Sequence, residues 1–343
     1  MPLISVGTGS VEAGPWRPAF AIAHQRFGIA LLLALIGAAG LFGPDALPGP
    51  GLLLVGGALI GVPHGVSDFV VAHRLWHRSW GRGWLPVFVL GYLSIVALVM
   101  VGWRVAPVAT LAVFLGVSSL HFGAGEGLSA ARSRWTVGAR AVTPILPIFM
   151  FHPDEVGQIL AAMVGRTGTE VVGNLGWLKE VAFWPWLAVV AASAAVSLFG
   201  SRSEDGEIRD AAEIVTLSVA AWLLPPFLTF ALYFCLLHAV RHMLGIASTF
   251  HPDRPGRALA FAARIVLPCA LPCVIALICL WDRAAGLTGS QALITHGLQL
   301  LAALTLPHMA LEALDAHHGP AGSTADPRPP ATSLTPAAFL PRR

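Results

Sequence analysis

The sequence predicts an all-α protein, a polytopic transmembrane helix bundle of about ten spans (eight to ten) with both termini in the cytoplasm. Three observations carry that reading. Hydrophobic residues make up 56% of the 343-residue chain and charged residues 11%, whereas soluble domains carry about 25% charge. Mean hydropathy is +0.73. Apolar runs also recur at the length of about 20 residues that crosses a bilayer core. So few charges cannot cover a water-facing surface, which excludes a soluble enzyme and disorder over most of the length. A formal net charge of +3, spread along the chain, leaves no footprint for nucleic acid.

The elements follow in chain order. An N-terminal cytoplasmic segment, 1–26, precedes an apolar run at 27–43. That run exceeds the roughly 7 to 15 residues of a signal core and reads as a first span. Further runs fall at 51–70, 84–103 and 106–126. The fifth, 138–163, is interrupted by His152, Pro153, Asp154 and Glu155 and reads as ragged or re-entrant. The sixth is 181–199, and the seventh, 211–224, is short and stops at Pro225-Pro226, as a half-span would. The last three are 227–247, 259–281 and 292–313. The membrane-embedded domain is therefore set at 27–315, with a disordered tail over 316–343 rich in Pro, Ala, Ser and Thr. Cys235, Cys269, Cys273 and Cys279 all lie in apolar runs and read as small buried hydrophobes.

Arginine placement orients the bundle, because short cytoplasmic loops collect Arg and Lys. Arg17 and Arg26, then Arg74, Arg78 and Arg82, then Arg132, Arg134 and Arg140 fall on alternate loops. Arg202 and Arg209, then Arg254 and Arg257, and finally the tail arginines continue the alternation. An even number of spans in a cell membrane, the inner one where there are two, satisfies the rule throughout.

Thirteen histidines are many for so apolar a chain. Those near loops and termini (His24, His73, His77, His251, His317 and His318) read as solvated, and His152 and His296 are ambiguous. Five fall inside expected spans: His64, His121, His238, His242 and His308. Ionisable groups inside a membrane are costly and face the bundle interior. All five sit about two-thirds of the way along spans that run outside to inside, so they share one layer. His238 and His242, four apart, share one helical face. A layer of imidazoles is how a bundle builds a metal site, and neutral imidazole suits Zn, Cu, Fe and Ni alike.

Asp68, four residues after His64, and Glu126, five after His121, are candidates to accept the second ring N–H of a ligating histidine. The competing reading makes both interfacial carboxylates paired with arginine. Arg241, between the paired histidines, is expected to snorkel or to meet a carboxylate. Gly61, Gly65, Gly123 and Gly125 allow close helix approach or room for a ligand. Trp103, Trp135, Trp222 and Phe230 could line a tunnel, although aromatics in spans more often serve as packing groups or interfacial anchors.

Four segments together resemble the Brp/Blh family of membrane β-carotene dioxygenases. They are Gly61-Val62-Pro63-His64-Gly65 with Asp68, and Ser119-Leu120-His121-Phe122-Gly123. His238-Ala239-Val240-Arg241-His242 and Leu306-Pro307-His308-Met309 with Leu311 complete the set. The resemblance implies an iron(II) enzyme, with Fe2+ as cofactor, that cleaves the central double bond of β-carotene with O2 to give two molecules of retinal. It also implies that His64, His121, His238 and His242 hold the iron, that His308 matches a fifth family histidine, and that a rhodopsin is a functional associate. Two positions depart from the family pattern: Glu126 stands where an Asp is usual, and Ala239 where a Ser is common. Two other classes stay open on the residues alone. One is a transporter or channel that moves a transition metal or protons, which histidines gathered on one side of the membrane disfavour. The other is a non-catalytic relative that assists retinal handling.

Overall fold

The computed structural model describes residues 16–49, 65, 67–124, 133–166, 168–200, 205–250, 254–257, 259–264 and 289–317. Among these residues all regular structure is helical. α1 (Trp16–Phe42) covers the first expected span. α2 (Ser67–Trp80) lies largely where a loop was expected, because it is amphipathic: Val71 and Ala72 are buried while His77 and Arg78 face outward. Hydropathy windows miss such a helix. α3 (Trp84–Val105) and α4 (Pro107–Ala124) match the third and fourth expected spans, and Pro107 sets the first turn of α4.

The fifth expected span is not one helix. It is divided into α5 (Arg134–Val142), α6 (Leu146–Phe151) and α7 (Pro153–Val164). The Ser133 side chain caps α5 by accepting from the Thr136 N–H at 3.1 Å. Pro147 and Pro153 open α6 and α7, where a missing N–H has no helical partner to lose. At about 1.5 Å per residue the 12 residues of α7 reach roughly 18 Å, short of a bilayer core. α8 (Gly168–Phe199) is longer than its expected span, and α9 (Asp205–Leu223) ends just before Pro225-Pro226. α10 (Pro226–Ala231) passes into a π-helical stretch (Leu232–Ala239) and then α11 (Val240–Phe250). α12 (Gly289–His317) completes the described set. The ninth expected span and Cys269, Cys273 and Cys279 fall almost wholly outside the described residues, as does the tail beyond 317.

α12 is central: it packs against α2, α3, α4 and α7, while α8 packs on α5, α7 and α9, and α1 on α9. One core, with Val99, Trp103, Phe114, Ile148, Leu160, Met163, Leu175, Ala221 and Ala302, joins α3, α4, α6, α7, α8, α9 and α12. By length and composition, 5 stretches of described helix can cross a membrane: Ala19–Phe42, Ser67–Val105, Gly168–Phe199, Pro226–Ala247 and Ile294–Asp315. Their outer faces agree, since Leu90, Leu98, Val105 and Trp184 are exposed apolar side chains suited to lipid rather than water. This is a helical membrane protein.

Candidate metal centre

His121 near the end of α4, His238 in the π-helical stretch, His242 in α11 and His308 in α12 come from well-separated parts of the chain and meet in one cluster. Ring centroids lie 4.8 Å apart for His121 and His238, 5.4 Å for His121 and His308, and 5.0 Å for His242 and His308. The His238 and His242 rings stack at 6.1 Å, as the spacing of four predicts. His64 and Glu126 lie outside the described residues, so the cluster is built here from three of the four expected ligands and from His308. His152 and His296 stand apart from it. His152 donates through Nε2 to the Ala221 carbonyl at 3.0 Å, and His296 meets Gln299 at 3.2 Å.

Two carboxylates meet the rings. His308 donates from Nδ1 to Asp68 Oδ1 at 2.6 Å, and Asp68 is 2% exposed. Asp68 is therefore a buried partner of a histidine and not an interfacial partner of an arginine. The Tyr92 hydroxyl lies 3.1 Å from Asp68 Oδ2 and 3.2 Å from the Leu304 carbonyl, tying α3 to α2 and α12. The second carboxylate, Glu312, was not singled out by the sequence reading. It lies 2.9 Å from His121 Nδ1 and 3.2 Å from His242 Nδ1, with His308 Nε2 3.8 Å away. Its signal was available, because Glu312 follows His308 by four residues, the spacing used to flag Asp68 after His64. Tyr92, one of two tyrosines in the chain, carried no sequence signal.

The donor set fits a transition-metal ion. Imidazole nitrogens with a carboxylate suit iron, zinc, copper and nickel. His121 Nε2 and His238 Nε2 are 3.3 Å apart. Two donors about 2.1 Å from one ion stand at most roughly 4.2 Å apart, so this pair fits as it is. Ligand atoms of His121, His308 and Glu312 lie within 4.8 Å of one another, a little wider than one ion would hold them.

Arg241 meets Glu213 through two parallel hydrogen bonds of 2.7 Å each. Arg140 donates to Asp210 at 3.2 Å and lies 3.9 Å from Glu213, and Gln25 donates to Asp210 at 3.1 Å. Arg140 is thus a buried ion-pair member, which weakens it as a marker of a cytoplasmic loop. Gly123 is a close-approach residue: a Cβ there would stand 2.9 Å from Ala141 Cβ and 3.0 Å from the Val137 carbonyl.

An apolar cavity of about 420 Å³ opens from the histidines. Its lining includes His121, His238, His308 and Asp68 together with apolar residues such as Val156, Met163, Pro226 and Leu298. The ten residues from Leu298 to His308 correspond to roughly 15 Å of helix. Beside the histidines, the lining residues Val89 and Leu93 on α3 are 39% and 56% exposed, so the cavity reaches the apolar outer face there. Of the four aromatics considered from the sequence, Phe230 lines it. Trp103 is core, while Trp135 and Trp222 are exposed.

Residues 55–315 match the family described as beta-carotene 15,15'-dioxygenase. The chain belongs to this family. Its matched region takes in all four segments on which the resemblance rested. Over 319 residues the chain is 28% identical to the probable beta-carotene 15,15'-dioxygenase Blh of Halobacterium salinarum, covering 86% of this chain and 91% of that relative. Over 256 residues it is 26% identical to the beta-carotene 15,15'-dioxygenase of an uncultured marine bacterium, 66A03, covering 74% of this chain and 88% of that protein. No solved structure matches.

Proposed function

We propose that this chain is an iron(II)-dependent dioxygenase of the plasma (inner) membrane. It cleaves the central 15,15' double bond of all-trans-β-carotene with O2, giving two molecules of all-trans-retinal. The observation that carries the reading is the cluster of buried imidazoles lining an apolar cavity, within a chain of this family. The relatives' names support the substrate.

His64, His121, His238 and His242 hold the iron, and His308, anchored on Asp68, completes the ring of imidazoles. Bound there, iron(II) supplies the activation of O2 that no side chain can provide. The remaining work is positional. The arm of the cavity lined by Phe230, Leu298 and Met163 takes one half of the polyene and excludes water from the reacting bond. The mouth at Val89 and Leu93 accepts the molecule sideways from lipid, which suits a substrate that never dissolves in water. The reaction balances without an acid or base: one C=C bond breaks, and each carbon takes one oxygen atom of O2. Retinal released into the bilayer would supply a retinal-binding partner such as a rhodopsin.

Expression in a bacterial host that accumulates β-carotene tests this reading. The cells should lose colour and accumulate retinal, and His121→Ala, His238→Ala or His242→Ala should abolish both effects. Coloured cells containing membrane-inserted, iron-loaded protein would count against the assignment and favour transport or a non-catalytic role.

A further inference from the structure

We infer that Glu312 is a positioning residue, a shared carboxylate that fixes the tautomers of His121 and His242 and so turns their Nε2 atoms toward the ion. The inference rests on the metal reading above and deepens it. The family resemblance supplied histidines as ligands; nothing in it assigned a carboxylate on α12.

A neutral imidazole carries one N–H and one lone pair, and only the lone pair binds metal. An ionised carboxylate accepts and cannot donate, so each ring that meets one turns its N–H toward it. Glu312 meets His121 Nδ1 at 2.9 Å through Oε2 and His242 Nδ1 at 3.2 Å through Oε1. Both lone pairs therefore lie on Nε2. Asp68 acts in the same way on His308 Nδ1 at 2.6 Å. The fourth ring agrees with this polarity, because His238 presents Nε2 to His121 Nε2 at 3.3 Å. Three rings, His121, His242 and His308, thus turn Nδ1 to a carboxylate, and His121 and His238 meet through Nε2, while His308 Nε2 lies 3.8 Å from Glu312 Oε1.

One side chain orients two rings because both of its oxygens are used, one on each. With one oxygen on each Nδ1, Glu312 is placed as the orienting partner of two rings, and the cobalt spectra below distinguish that role from direct ligation. The local sequence makes the reach possible. Pro307 lacks the N–H that would bond the Ala303 carbonyl, which loosens the helix just ahead of His308 and Glu312.

The test uses full-length protein in detergent without oxygen, titrated with Fe2+ against a competing chelator. Glu312→Ala should bind iron about 10- to 100-fold more weakly than the parent, the usual loss when a ligand's orienting partner is removed. Glu312→Gln, which keeps the shape but has one acceptor oxygen for two rings, should fall between them. At saturating Co2+, used as a spectroscopic substitute, Glu312→Gln should keep the parent's visible absorption bands, because the ligand set is unchanged. Equal iron affinity in all three proteins would overturn the inference. Altered cobalt bands in Glu312→Gln would also overturn it, making Glu312 a ligand. A parent protein that binds neither metal would instead remove the metal reading beneath it, a result distinguishable from both.

Discussion

Asp68, Tyr92 and His308 show how a few atoms control the site. Asp68→Asn keeps the shape and one acceptor oxygen but weakens the 2.6 Å bond to His308, so retinal formation should fall about 10- to 100-fold. His308→Ala should reduce it to background, since nothing else among the described residues brings an imidazole to that side. Tyr92→Phe loses a hydroxyl shared between Asp68 and the Leu304 carbonyl and should cost about 1 kcal/mol in unfolding measured in detergent. At this scale the histidines were legible because imidazole inside an apolar span stands out on its own. Glu312 was not, because a carboxylate five residues from a helix end looks like an interfacial charge until the three rings around it are seen. Asp68 was recognised as an orienting group, but its partner among the described residues comes from α12, and no local spacing could have supplied that pairing.

The elements that carry these residues are held by buried polar contacts as much as by apolar packing. Arg241 sits between His238 and His242, and its two bonds to Glu213 fasten α11 to α9. Arg140 and Gln25 extend the tie to α5 and α1 through Asp210. Glu213→Ala leaves Arg241 buried without its carboxylate and should destabilise the protein by about 3–5 kcal/mol, read as a loss of thermal stability in detergent. The π-helical stretch at Leu232–Ala239 belongs to the same account, since such turns are rare and concentrate at functional sites. Hydropathy predicted α1, α3, α4 and α12 because their runs stay predominantly apolar over the length of a span. It missed α2, whose buried side is only a stripe. In the fifth stretch the interruption expected at His152–Glu155 is the break between α6 and α7, and the further break before α6, whose first turn holds Pro147, was not foreseen.

At the scale of the whole molecule, the family and the membrane class follow from sequence, while the cavity needed coordinates. Its lining is drawn from α2, α3, α4, α6, α7, α10, α12 and the π-helical stretch, and no periodicity relates them. Topology remains a prediction of the arginine pattern: reporter fusions should place both termini and the loop after Phe250 in the cytoplasm. A periplasmic loop there would reverse the helix carrying His238 and His242 relative to the arginine pattern. The central claim, iron-dependent central cleavage at the imidazole cluster, is tested most directly by product analysis. Purified protein stripped of metal would be given β-carotene and O2 with and without added Fe2+. The account predicts retinal as the sole cleavage product, formed only when iron is added. Longer and shorter apocarotenals, or retinal formed equally without iron, would contradict it.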